Sequence, residues 1–383
     1  MFSDGLSSSI ILTLGHKYII FSGVSISGFF RRLFRKGTPE PEQNVIVQPE
    51  PQPVRPEERF ILCVDGGGMR GIVPVVYLQH LEAKIRSHGG KGDIARYFDF
   101  IAGTSTGGLI TLALTCDSTL PHTDSDGSSQ INLDKLMDAY MSLGSEIFQA
   151  QSSLFGLRHM VADKYNSNNI QELCQRWFGT GTIGNAKVPT MIMAYDLTAG
   201  NPQMIRSYCG ESSFPAWVAA RATSAAPTFF SPCEYSGKLL VDGGVVANNP
   251  ALYAYFEAKR LYPQCTRFHI LSFSTGGTHH TMQKDETRGL MNWADHISPL
   301  YSTAQKRTAD FVLSNVPDAD YVRIDEQLST PVKMDETNKA VLRMIRSEAE
   351  SWAMMHDTEL DTFAGLLVEN MEYSKNASET GRT

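Results

Sequence analysis

The sequence predicts an α/β fold with a mostly parallel central sheet flanked by helices. Three observations carry that expectation. Apolar runs of strand length alternate with longer stretches whose apolar residues recur at helical spacing. Several of the runs end in turns that lead straight into a helix, as the crossovers of a parallel sheet require. A chain of 383 residues, 42% of them hydrophobic, also has enough apolar side chain to cover such a sheet on both faces.

From the N-terminus, residues 9–30 (SIILTLGHKYIIFSGVSISGFF) are apolar but broken by His16 and Lys17, and Arg31, Arg32, Arg35 and Lys36 follow. A secretory signal carries its positive charge ahead of the apolar run, the reverse of this order. A spanning helix needs about 20 apolar residues, and the uninterrupted stretch from Tyr18 to Phe30 is shorter. Residues 1–37 are therefore expected to form an apolar and basic segment that lies on a membrane surface against anionic headgroups. The alternative is a tail or an extra helix packed on the domain. Residues 38–58, rich in proline with polar neighbours, predict an extended linker. The folded domain is expected over 59–370, with a polar tail at 371–383.

Within the domain, residues 60–64 predict a strand, and Val75, Leu78, Leu81 and Ile85 place a helix after it. FDFIAG, residues 98–103, predicts a second strand that runs into a helix from Thr106. Further strands are expected at 188–195, 203–208, 238–241 and 268–273, and helices near 215–225, 250–262, 303–315 and 337–370. The polar stretch 117–130 reads as a loop, either a lid or partner site or an ordinary connection.

Composition excludes several function classes. A net charge of −7, with 34 Lys and Arg spread thinly, gives no basic stripe for a phosphate backbone, so no nucleic-acid partner is expected. The six cysteines never form C-x-x-C, which argues for free thiols over a zinc site or a disulfide framework. His279-His280 and the DSDGSS stretch at 124–129 lack the remaining ligands of a metal site, so no metal or other cofactor is expected.

The chemistry concentrates in short motifs. In ILCVDGGGMRGIVP, residues 61–74, Gly66, Gly68 and Gly71 fit G-x-G-x-x-G, which suits a dinucleotide turn or a loop whose N–H groups hold another anion. In IAGTSTGGL, residues 101–109, Ser105 sits in G-x-S-x-G between a strand and a helix, the sequence of a nucleophile elbow. Gly103 and Gly107 remove side chains where so sharp a turn would clash. No histidine falls in an evident motif to serve as its base. In LLVDGGVVANNP, residues 239–250, Asp242 ends an apolar strand, Gly243 and Gly244 allow close backbone approach, and Asn249-Pro250 opens a helix. Asp242 reads equally as an active-site carboxylate or as a cap in a tight turn.

DGGGMRGIVP, GTSTGG, RATSAAPTFFSP and DGGVVANNP, in this order, resemble the patatin-like phospholipase family, and LSFSTGG at 271–277 and residues 321–345 resemble the later part of such domains. The resemblance covers about residues 60–350. It implies a three-layer patatin-like fold and a Ser-Asp dyad, with Ser105 as nucleophile and Asp242 as its partner and general base. It also implies that Gly67 and Gly68 form an oxyanion hole with Arg70 supporting the loop, which would displace the dinucleotide reading. Gly103 and Gly107 then belong to the elbow, and Gly243 and Gly244 support the dyad. The implied activity is hydrolysis of fatty-acyl esters of membrane glycerolipids, of phospholipase A or lysophospholipase type, through an acyl-serine and without calcium. Membrane phospholipids or other glycerolipids are the implied partners, and the implied location is cytoplasmic with peripheral membrane association. The alternatives are a delivered bacterial effector of the same family, switched on by a cyclic nucleotide or protein activator, and an acyltransferase using the same dyad.

Overall fold

The computed structural model describes residues 10–14, 17–21, 57–118, 122–123, 130–148, 163–277 and 290–379. The basic cluster from Arg31 to Lys36, the linker up to residue 56, most of the polar loop 117–130 and His279-His280 lie outside the described residues. The chain separates into two units, Met1–Val45 and Ile46–Thr383. In the first, β1 (Ile10–Leu14) and β2 (Lys17–Phe21) pair as an antiparallel hairpin, with Leu14 opposite Lys17 and Ile10 opposite Phe21. The apolar run thus folds back on itself near the point where Lys17 interrupts it. Among the described residues no helix is long and apolar enough to cross a membrane.

The second unit begins with β3 (Glu58–Val64), α1 (Ile72–Ser87), β4 (Phe100–Thr104) and α2 (Thr106–Thr115). A short ladder of β5 (His122–Thr123) with β6 (Gln130–Ile131) precedes α3 (Leu133–Ile147) and α4 (Ser167–Phe178). Then come β7 (Thr190–Asp196), β8 (Asn201–Arg206), α5 (Ala216–Thr223), β9 (Cys233–Tyr235), β10 (Lys238–Asp242), α6 (Gly244–Ala247) and α7 (Ala251–Leu261). The chain continues through β11 (Arg267–Phe273), α8 (Leu290–Leu313), β12 (Ala319–Ile324), α9 (Lys339–Met355) and α10 (Asp357–Glu379).

An eight-stranded sheet in the order β12-β11-β3-β4-β7-β10-β9, with β8 also on β7, forms the middle layer. Its pairings are parallel from β12 through to β7. Side chains alternate between two cores, as the period of a strand demands. Phe60, Leu62 and Val64 join the residues of α1, α9 and α10 on one face, and Ile61, Cys63, Phe100 and Ala102 join those of α7 on the other. This is the three-layer arrangement of helices, sheet and helices.

The antiparallel edge is the part that apolar alternation does not announce. β8 pairs antiparallel with β7, and β9 with β10, because tight turns rather than helices connect each pair, and β10 also runs antiparallel to β7. At Ser236-Gly237 both residues take positive φ, 48° and 77°, as a two-residue hairpin of the first primed type requires. Three expected helix boundaries also move. α8 starts at Leu290 rather than near 303 and carries Pro299 inside it, a residue that reads as a stop. The helix expected over 337–370 is two helices divided at His356. The second continues to Glu379, so most of the expected polar tail is helical.

Candidate active site

The pairing of β7 places the chemistry. Met193 of β7 lies between Met204 of β8 and Thr104 of β4, while the next residue, Ala194, lies between Gln203 of β8 and Asp242 of β10. β8 therefore holds one edge of β7, and the other edge is shared. β4 fills it as far as Met193, and β10, running the opposite way, fills it from Ala194 onward. The C-terminal ends of β4 and β10 meet head-on at adjacent ladder positions, about 3.3 Å apart along the strand. Ser105, which follows Thr104, and Asp242, which ends β10, are delivered to one point, where the Ser105 side chain acts to lower the pKa of the Asp242 carboxyl.

Ser105 has φ 55° and ψ −126°, a conformation that a non-glycine residue adopts only when its surroundings enforce it. They do so through the flanking glycines. A Cβ on Gly103 would come within 2.2 Å of the Gly107 carbonyl oxygen, and one on Gly107 within 2.1 Å of the Val64 carbonyl oxygen. Thr223 secures the turn. Its hydroxyl accepts from the Ser105 N–H at 2.8 Å and donates to the Met193 carbonyl at 2.6 Å. Helix α2 then starts from Ser105, whose carbonyl accepts from the Leu109 N–H at 3.0 Å.

Asp242 is 5% exposed. Burial pushes its carboxyl up to about 6, against the opposing influence of the Ser105 side chain and the Gly244 N–H. The latter donates to Asp242 Oδ1 at 2.7 Å. Asp242 therefore caps the turn into α6 and ends its strand beside the Ser105 turn at once. Gly243 fits where a Cβ would come within 2.5 Å of the Met193 carbonyl oxygen. The Asp242 N–H is held by the Ala225 carbonyl at 3.0 Å, which brings the RATSAAP segment into the site.

The glycine-rich loop borders the same point: a Cβ on Gly66 would come within 3.0 Å of Ser105 Cβ. Backbone bonds tie down its neighbours, with Gly66 N–H donating to Asn248 O, Met69 N–H to Met334 O and Arg70 N–H to Gly67 O. Among the described residues the N–H groups of Gly67 and Gly68 have no acceptor. Gly68 has φ 60°, and a Cβ there would run into the Met334 carbonyl. Arg70 reaches the 332–334 segment. Its Nη1 donates to the Val332 carbonyl at 3.2 Å, and burial lowers its pKa to about 10. It braces the loop against the 332–334 segment.

Several supporting residues carry no role in the sequence reading. Asn248 and Thr275 bond the Gly66 carbonyl, and Thr104 Oγ1 donates to Ala247 O at 2.7 Å. Arg323 of β12 meets Asp65 directly behind the loop. Asn249 caps α7 through the Ala251 N–H, as expected, and also donates to Asp310 and Tyr321. Asn248 and Thr275 lie inside DGGVVANNP and LSFSTGG, but their partner, the Gly66 carbonyl, is far along the chain. Histidines His80, His88, His269 and His356 pair with Asp357, Asp361, Asp320 and Glu326. Among the described residues no group of three or more His, Cys, Asp or Glu side chains is placed to hold a metal, and all six cysteines are free thiols.

The chain is similar to several known proteins. The family described as Patatin-like phospholipase matches residues 62–255. Patatin-like protein 2 of Arabidopsis thaliana is 31% identical over 317 residues, covering 70% of this chain and 76% of its own. Patatin-T5 of Solanum tuberosum is 26% identical over 325 residues, covering 74% and 81%. The solved structure of VipD from Legionella pneumophila aligns over 85% of this chain and 73% of its own, at 11% identity and a TM-score of 0.35.

Proposed function

The chain belongs to the patatin-like phospholipase family, and from that premise we propose that it cleaves fatty-acyl esters of membrane glycerolipids, with Ser105 and Asp242 as a catalytic dyad. The observation that carries this reading is the register of β7, which brings a strained, elbow-borne serine and a buried carboxylate to adjacent ladder positions.

A carboxylate takes the place of histidine here. Its ordinary pKa makes it a weak base, and burial brings it to about 6, nearer to what proton transfer at neutral pH favours. Asp242 accepts the Ser105 proton as the serine oxygen bonds to the ester carbonyl carbon. The carbonyl oxygen becomes an oxyanion, and the free N–H groups of Gly67 and Gly68 are its donors, with the N-terminus of α2 adding a favourable dipole. Collapse breaks the bond to the leaving alcohol, which takes the proton from Asp242 and leaves an acyl-serine. Water then gives its proton to Asp242 and attacks the acyl carbon, releasing the fatty acid and restoring both residues.

Residues 9–36 supply the attachment to a lipid surface in this proposal, through their apolar stretch and basic flank. The deciding experiment incubates total lipid extract with wild type and Ser105→Ala and follows products by mass spectrometry. Free fatty acid and lysolipid formed by wild type alone support the hydrolase, acyl chains moved to another alcohol make it a transferase, and no Ser105-dependent change rejects both.

A further inference from the structure

The Gly66 carbonyl receives two side-chain donors from opposite parts of the sequence. Asn248 Nδ2 donates to it at 3.2 Å and Thr275 Oγ1 at 2.9 Å. Asn248 also accepts the Gly66 N–H on its own main-chain carbonyl, at 3.1 Å, so it grips this residue at both polar groups. Thr275 additionally fills the space beside Gly67, where a Cβ would come within 2.1 Å of its hydroxyl oxygen.

One planar trans peptide unit joins the Gly66 carbonyl to the Gly67 N–H, and its two polar groups point in opposite directions. Glycine on both sides leaves rotation of that unit nearly free of steric cost. In a Gly-Gly stretch the peptide therefore has two accessible orientations. In one its N–H is presented to a reacting carbonyl oxygen; in the other its carbonyl oxygen stands there and repels the developing negative charge. The Asn248 amide and the Thr275 hydroxyl make the choice, because reversal leaves both donors without their acceptor, Thr275 in a buried and Asn248 in a half-buried setting.

We propose that Asn248 and Thr275 are positioning residues that lock the Gly66–Gly67 peptide with its N–H aimed at the oxyanion formed beside Ser105. The inference rests on the hydrolase reading of the site. It assigns a task to the Asn248 of DGGVVANNP and the Thr275 of LSFSTGG that neither a turn nor a helix cap demands. Neither residue touches the reacting atoms, so their effect falls on the transition state, where charge has developed, and not on substrate binding.

The test uses the full chain, a soluble short-chain p-nitrophenyl ester, and titration of active sites with a fluorophosphonate so that rates refer to competent molecules. Thr275→Val keeps the volume and removes the donor; it should lower kcat about 10- to 100-fold with KM within about twofold, less than outright loss of an oxyanion donor. Thr275→Ser keeps the hydroxyl and should restore most of the rate. Asn248→Ala should act in the same direction, and a trifluoromethyl ketone, which forms an oxyanion on the serine, should lose affinity in proportion to kcat/KM across the series. Turnover that persists in Ser105→Ala overturns the site reading and this inference together. Ser105-dependent turnover in which Thr275→Val matches Thr275→Ser, or in which inhibitor affinity does not follow the rate, overturns the inference alone.

Discussion

Arg323 donates to both carboxylate oxygens of Asp65, at 2.8 and 2.6 Å, immediately behind the glycine-rich loop. Asp65 is 1% exposed, so the pair is shielded from solvent. Burial works against the guanidinium charge, but Asp65, Tyr321 and Asp325 outweigh it and hold Arg323 well above its usual range. Removing one partner strands the other charge. Arg323→Met should therefore lower unfolding free energy by about 3–5 kcal/mol in urea titrations. Adding Asp65→Asn to it should recover part of the loss, and a double variant worse than the sum of the singles would show that the pair is not the source of the effect.

The dyad predicts a one-sided pH profile. Asp242 must be ionised to accept the serine proton, and burial puts its carboxyl at about 6. Ester kcat/KM should rise tenfold per unit below that value and level off above it. Asp242→Asn should abolish turnover as Ser105→Ala does, with the double variant little worse than either single. No single histidine replacement should remove activity or the inflection; one that did so in a folded protein would reinstate a triad.

Stability should move the other way at the same residue. The folded pKa of Asp242, about 6, lies above its ordinary 3.8, so the native chain binds more protons than the unfolded one between those values. The stabilisation is fully present below pH 3.8 and is lost as pH rises through 6. Asp242→Asn, which cannot ionise, should be the more stable protein at pH 7 by up to roughly 3 kcal/mol, with the gap closing toward pH 4. Thermal melts of the two proteins across that range measure it.

Two glycine-to-alanine changes should separate folding from rate. A Cβ on Gly107 meets main-chain oxygen of Val64 at 2.1 Å, which cannot move without opening the sheet. A Cβ on Gly67 meets the Thr275 side chain, which can rotate. Gly107→Ala should fail to accumulate as folded protein, whereas Gly67→Ala should fold and show a kcat loss of about 10²-fold or more with little change in KM. Saturable NAD binding by wild type, lost in Gly67→Ala, would restore the dinucleotide reading of the loop.

Removing residues 1–56 should leave hydrolysis of a soluble ester nearly unchanged and weaken binding to anionic vesicles. Full-length protein should come off those vesicles as salt is raised, since each basic residue contributes about 1 kcal/mol and is screened within a Debye length. Sedimentation with vesicles of anionic and zwitterionic lipid reads both effects, and binding that survives alkaline carbonate washing rejects surface attachment.

What sequence discloses about this site follows a physical division. Gly68, Gly103, Gly107 and Gly243 are legible because a backbone that approaches another backbone or turns to positive φ tolerates little else, and the need is local. Ser105 and Asp242 are legible because each ends an apolar strand. Thr223, Asn248, Thr275 and Arg323 are not, since each is defined by a partner far along the chain. The antiparallel edge was hidden for a similar reason: a three-residue strand such as β9 has no periodicity to read, and Ser236-Gly237 reveals the hairpin only through its dihedrals. Pro299 and the division at His356 show the limits of breaker rules in helices held by tertiary packing.

Because β4 and β10 abut along one edge of β7, the separation of Ser105 and Asp242 is a fixed increment of sheet geometry, independent of the long connections between them. Those connections, including the whole stretch from α3 to α4, are then free to diverge in length and chemistry while the two residues keep their spacing. The same scaffold is thereby suited to exchange of those segments, in evolution or in the laboratory, without redesign of the strand junction.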